Sequence, residues 1–133
     1  MATRAEKKRA RDLVNTLVWD LPDMRPRVGT LPPNPDGLEH CAEFDVLPGL
    51  TAVCFPAGEV WRGLLVQYDP ATGQITGTME HHAQAASDDD APRWAAQVIH
   101  DIVTSAASQA NTDAARALVD ERLGAVTQLL TRL

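Results

Sequence analysis

The chain reads as α+β: an N-terminal helix, a four-stranded antiparallel meander, and two C-terminal helices packed on the sheet. Three observations predict this. Apolar residues recur at helical spacing at both ends of the chain, residues 41–82 alternate with the period of a strand, and Asp69-Pro70-Ala71-Thr72-Gly73-Gln74 spells a hairpin turn between two β-branched and aromatic runs. The 133 residues, 44% of them hydrophobic, suit one domain over 1–133 with a core that needs no staples.

The first helix is predicted over residues 4–19. Thr3 and Glu6 form a capping box at its start, and Ala10, Leu13, Val14, Leu17, Val18 and Leu21 make one buried stripe before Pro22 stops it. Residues 22–37 hold five of the nine prolines and read as an irregular connection ending in the turn Pro35-Asp36-Gly37. Connections of that length inside a compact unit are functional or strapped across a surface.

Cys41 to Val46 alternates, with Ala42, Phe44 and Val46 on one face and Cys41, Glu43 and Asp45 on the other. Pro48-Gly49 turns the chain into Leu50–Phe55. If Leu47 pairs with Leu50, Phe44 lies opposite Val53 and Ala42 opposite Phe55, and Cys41 and Cys54 share a face too far apart for an unstrained bridge. Free thiols in a reducing compartment are therefore expected. An L-proline type II turn, however, splays a tight hairpin.

In the long hairpin, Tyr68 opposite Ile75 puts Val66, Leu64, Ile75 and Met79 on the core face. The polar face then carries Trp61 and Leu65, opposite His82 and Thr78. The second helix is predicted to start near Pro92 with Asp90 as cap, burying Trp94, Ala95, Val98, Ile99, Ile102, Val103 and Ala106. Asn111-Thr112-Asp113 re-caps the chain into a third helix ending near Thr131. Its wide apolar stripe predicts burial on more than one side.

Charge is divided unevenly. Arg4, Lys7, Lys8, Arg9 and Arg11 stand beside one acid in the first eleven residues, giving +4; the remaining residues hold seven bases and 17 acids, giving −10. The basic segment could contact phosphate or an acidic partner, but an acidic body repels nucleic acid and anionic membranes. Nucleic-acid binding is therefore the third-ranked reading. No apolar run approaches the ~20 residues of a membrane span, and no apolar signal core follows the basic segment, so a cytoplasmic protein without membrane attachment is expected.

No catalytic set is predicted. His81 and His82 point to opposite faces of a strand, and Asp88, Asp89 and Asp90 lack the alternation of a calcium loop, so no metal is expected. His40-Cys41 and His100-Asp101 could be fragments of a thiol triad, but Cys41 has no helix N-terminus or base beside it. No phosphate loop or other cofactor motif is present, so no cofactor is expected. The feature that points outward is the pair Trp61 and Leu65 on a nominally polar sheet face, read as a partner-binding surface. The first expectation is thus a non-catalytic protein-interaction module, an adaptor or chaperone-like homodimer that binds another protein. In architecture, size and acidity alone the chain resembles small secretion chaperones and other dimeric adaptors, a likeness of fold rather than of motif. The alternative is a small-molecule pocket or enzyme between sheet and helices, opened by Gly63 and Gly77 and supplied with polar contacts by Arg62, Tyr68 or His81.

Overall fold

The computed structural model of the chain describes residues 4–29, 40–85 and 87–133, with the side chains of 81–85 outside that description. The Thr3–Glu6 box, the Pro35-Asp36-Gly37 turn and the side chains of His81 and His82 lie outside it. In chain order the elements are α1 (Arg4–Leu17), a 3-10 turn at Pro22–Met24, β1 (Arg27–Gly29), β2 (Cys41–Leu47), β3 (Leu50–Ala57), β4 (Val60–Tyr68), β5 (Ile75–Ala85), α2 (Ala91–Ala107) and α3 (Asp113–Arg132). The sheet is antiparallel in the order β1-β2-β3-β4-β5.

The α+β class stands, with five strands rather than four. The additional strand, β1, lies in the segment expected to be irregular. Arg27, Val28 and Gly29 pair with Glu43, Ala42 and Cys41 immediately after Pro26, which cannot join a ladder. The first helix ends at Leu17, two residues early, and Trp19 falls on the turn beyond it.

The turn at Asp69–Gln74 folds as its residues dictate. The Gly73 amide donates to Asp69 O at 2.7 Å, Ala71 donates to Asp69 Oδ1 at 2.9 Å, and Gly73 takes φ +74°. Tyr68 lies opposite Ile75 as expected. Beyond that pair the register departs. Gln67 pairs with Gly77, leaving Thr76 as an extra residue, so Leu65 rather than Leu64 faces Met79. A second bulge sits between Asp45 and Leu47, beside the Pro48-Gly49 turn that splays the strands, so Phe44 faces Ala52 and Ala42 faces Cys54.

These two slips reassign the faces of the hairpin. One row now runs Phe44–Ala52–Leu65–Met79 across four strands, on the side covered by the helices. The expected core face of β4 is inverted. Leu64, Val66 and Ile75 belong to a smaller cluster with Cys41, Val53 and Phe55 on the opposite face, while Trp61 and Leu65 belong to the main core. A register shift of one residue exchanges side chains between faces, so the Thr76 slip sets Met79 beside Leu65; β4 itself is inverted because the helices pack on its Trp61 side. Cys41 and Cys54 consequently lie on opposite faces, both buried and both free.

The main core brings Leu13, Val14 and Leu17 of α1, Leu21 and Met24 after it, and the predicted α2 stripe from Trp94 to Val103 onto the sheet. The α3 helix begins at Thr112, whose Oγ1 accepts from Ala115 N at 3.0 Å, as its sequence predicts. It buries Val119, Val126 and Leu129 and leaves Leu118, Leu123 and Leu130 part-covered, so it packs on one side and not on several. Its Arg122 is held inward, donating through Nε to Val46 O at 3.1 Å. Val46 is the residue that the β2 bulge leaves without a strand partner. Asp90 stands at the α2 cap position, but its side chain accepts no helix N–H and pairs with Ser87 Oγ at 3.2 Å.

Candidate functional site

The α2 helix crosses the sheet over β2–β5. A half-open groove of about 280 Å³ remains there. Leu50, Leu65 and Met79 form its sheet side, and Val98, Ile102 and Ala106 its helix side. The strand period and the helix period both produce this: Leu65 and Met79 are cross-strand partners, and 98, 102 and 106 are successive turns of one helix face. Met79, on the last strand of the sheet, is 61% exposed, and its partner Leu65 is part-buried. Among the described residues the rim carries Gln67, Gln109, Asp101 and Glu80. Glu80 pairs with Arg62, and Asp101 accepts from Gln97 Nε2 at 3.0 Å and lies 3.8 Å from His100 Nδ1.

Of the two residues predicted to meet a partner, Leu65 lines this groove and Trp61 does not. Trp61 is 1% exposed. Its ring lies 6.4 Å from that of Trp94, its Nε1 donates to Asp88 Oδ1 at 2.9 Å, and the Arg9 guanidinium sits over it at 5.4 Å. The expected contact role of Trp61 is therefore corrected to a core role: this chain's own α1 and α2 cover the face on which it stands. Two surface residues carry no local signal of their exposure: Met79, which the hairpin pattern places in the interior, and Trp19, 87% exposed, which the helix pattern places at the end of the first helix.

The basic segment is not one unit. Arg9 is turned inward and donates to Asp88 Oδ1 at 2.9 Å and Gly58 O at 2.6 Å. Lys8 pairs with Asp12 one turn on at 2.8 Å. Arg4, Lys7 and Arg11 are exposed. Asp88 thus receives both the Trp61 indole and Arg9. Its partial burial pushes its carboxyl up, but those two hydrogen bonds and the Arg9 charge together hold it below the usual range.

The remaining polar groups do not assemble a reaction centre. On the face away from the helices, Arg27 bridges Asp45 at 3.1 Å and Glu43 at 3.6 Å, and Thr51 Oγ1 donates to Asp45 Oδ1 at 3.1 Å. Burial, reinforced by Asp45 and opposed by Arg27, holds the Glu43 carboxyl above its ordinary value. Cys41 Sγ is 3.3 Å from Gly29 O and 3.9 Å from Glu43 Oε2; burial and the Glu43 charge push its thiol up to about 12, and burial likewise raises Cys54. Thiols so held are protonated and poor nucleophiles at neutral pH. Arg62 stacks over Phe55 at 5.9 Å on that same outer face, so it does not converge with the groove as the pocket reading requires. Among the described residues no group of three His, Cys, Asp or Glu could hold a metal ion, and no helix is long and apolar enough to cross a membrane.

No protein-family model matches the chain, and neither a curated protein nor a solved structure matches it.

Proposed function

We propose that the protein is a non-catalytic interaction module, an adaptor or chaperone-like protein, whose contact surface is the groove between α2 and the β4–β5 edge. The observation that carries this reading is Met79: a large apolar side chain left exposed on the floor of an apolar groove at a sheet edge. Such a surface suits an apolar side chain of another polypeptide, with the free backbone edge of β5 beside it. Self-association into a homodimer is part of the proposal, and so is a cytoplasmic location, which two buried and unbridged thiols support. Nucleic acid as partner loses support because Arg9, the centre of the basic segment, is occupied within the fold.

A photo-crosslinking residue in place of Ser105, at the groove rim, tests the reading in the native host. The expected result is a discrete polypeptide adduct that Met79→Asp abolishes and that does not form from the same crosslinker at Thr127 on α3. Adducts indifferent to Met79→Asp, or none at all, would remove the groove as a contact surface. The small-molecule reading has the same groove as its best support, but the groove is open, apolar and smaller than the ~300–1,000 Å³ of ligand pockets.

A further inference from the structure

We infer that the groove of one copy receives Trp19 of a second copy, so that the chain carries both halves of its own self-association contact. The inference rests on the reading of the groove as a protein-contact surface.

The knob is unusual in its position. Trp61 and Trp94 are buried, whereas Trp19 stands on the turn beyond α1 at 87% exposure, held by a backbone whose Leu21 N donates to Leu17 O. An indole is the side chain whose burial most often anchors a protein interface, and a ring held on a helix end loses little freedom on docking. The hole is of matching kind: apolar walls, a floor ending in Met79, and polar groups at the rim able to meet an indole N–H. Thioether and aromatic ring attract each other beyond simple burial.

Charge agrees with the pairing. Arg4, Lys8, Arg11 and Asn15, all exposed, follow helical spacing along the side of α1 that leads to Trp19, Lys8 in its pair with Asp12. Among the described side chains lining the groove the charged ones are Asp101 and Glu80, the latter paired with Arg62, within a body that carries −10 after the first eleven residues. Delivery of Trp19 therefore sets a basic helix flank against an acidic rim. Delivery within one chain is excluded by the layout: α1 lies over β1–β3, and the groove is built from the β4–β5 end and the α2 face beside it. A two-fold pair with reciprocal contacts is the simplest closed arrangement.

The test is self-association measured by light scattering across concentration, with tryptophan emission on dilution as a second readout. Trp19→Ser and Met79→Asp alter exposed side chains, so both variants retain the fold, which circular dichroism checks. Each is expected to weaken association by about thirtyfold or more, as for an interface anchor, and Thr127→Asp by less than about twofold. Mixing the two weakened variants, which leaves one intact contact per pair, is expected to restore association between them. Dilution of the wild type should red-shift the emission, and Trp19→Ser should lose that shift, because Trp61 and Trp94 stay buried throughout. A wild type that is monomeric at about 1 mM overturns the inference, as does Trp19→Ser with unchanged association. If Met79→Asp weakens association and Trp19→Ser does not, the groove remains a contact surface and Trp19 is not its occupant. If a monomeric wild type still gives the Met79-dependent adduct at Ser105, the interaction reading stands without this inference.

Discussion

Removing the Arg9 side chain should cost far more than removing its neighbour Lys8, although both read as members of one basic run. Arg9 joins three parts of the chain. Its guanidinium donates to Gly58 O in the β3–β4 turn, donates to Asp88 ahead of α2, and covers the Trp61 ring. The side chain is 19% exposed and Asp88 58%, so the ion pair itself is partly screened and contributes ~0.2–1 kcal/mol. The charged hydrogen bond to Gly58 O, in a site partly shielded from water, contributes about 1–1.5 kcal/mol, and the cation–π contact ~0.5–1 kcal/mol. Arg9→Ala should therefore destabilise the fold by about 2–3 kcal/mol, roughly 8–12 °C in melting temperature for a chain of this size. The Lys8–Asp12 pair is an exposed i,i+4 contact at 73% and 57%, and Lys8→Ala should cost ~0.5 kcal/mol or less. Urea unfolding followed by tryptophan fluorescence and circular dichroism measures both, with the slope checked for constancy. Arg9→Ala within ~0.5 kcal/mol of Lys8→Ala would refute the account, because Arg9 would then be one more solvated base.

Three further outcomes follow from the same geometry. Trp61→Phe should destabilise more than Trp94→Phe, since it strips Asp88 of an indole donor, whereas the buried Trp94 Nε1 has no hydrogen-bond partner to lose; equal losses in urea unfolding would contradict this. Neither thiol should react with a disulfide reagent in the native protein at about pH 8, and both should react on unfolding; rapid native labelling at Cys41 would show that its thiol is not held up to about 12. The acid limb should separate two carboxylates of opposite sign. The Asp88 carboxyl is depressed in the fold, so its contribution is present above the ordinary value of 3.8 and is lost as pH falls through the folded value, and Asp88→Asn should lose less stability on acidification than wild type. Glu43 is raised, so its ionisation costs stability as pH rises past 4.5 through the folded value; Glu43→Gln should exceed wild type at neutral pH and converge with it below about 4.5, and convergence at high pH instead would reverse the assignment.

What the sequence reveals of this fold depends on whether the governing signal is local. The α2 stripe from Trp94 to Val103, the Thr112 cap and the Asp69–Gln74 turn are each written within a few residues, and each forms as read. The faces of β4 are not local. They depend on counting through the bulge at Val46, where a strand passes into a Pro-Gly turn of the wrong twist, and no residue there announces an extra position. The hairpin taken alone offers Tyr68, Val66, Leu64 and Ile75 as its more apolar side, which puts Leu64 and Val66 inward and Trp61 outward, whereas the helices cover the Trp61 side. The short β1 was hidden by its prolines, because pairing with Cys41–Glu43 rather than its own propensity makes it a strand. Half of the groove was legible: Val98 and Ile102 stand on the helix stripe and Leu65 was singled out for its position. Met79 was hidden by its predicted burial. The inward turn of Arg9 had no local signal either, since its partners lie 49 and 79 residues away.

The bulge at Thr76 acts on this chain much as slack acts in a line. Tyr68 pairs with Ile75 and Gln67 with Gly77, so Thr76 is the one residue of this stretch without a place in the ladder. Its deletion would close the bulge and leave every later address on β5 where it is, with Met79 still opposite Leu65. A residue lost or gained elsewhere in the strand exchanges every later side chain between faces, unless this bulge closes or opens to absorb the change. Tolerance to a change of length is thus concentrated at one site, and a comparison of this chain with one a residue shorter must place its gap between Ile75 and Gly77 before any residue of β5 can be matched to its counterpart.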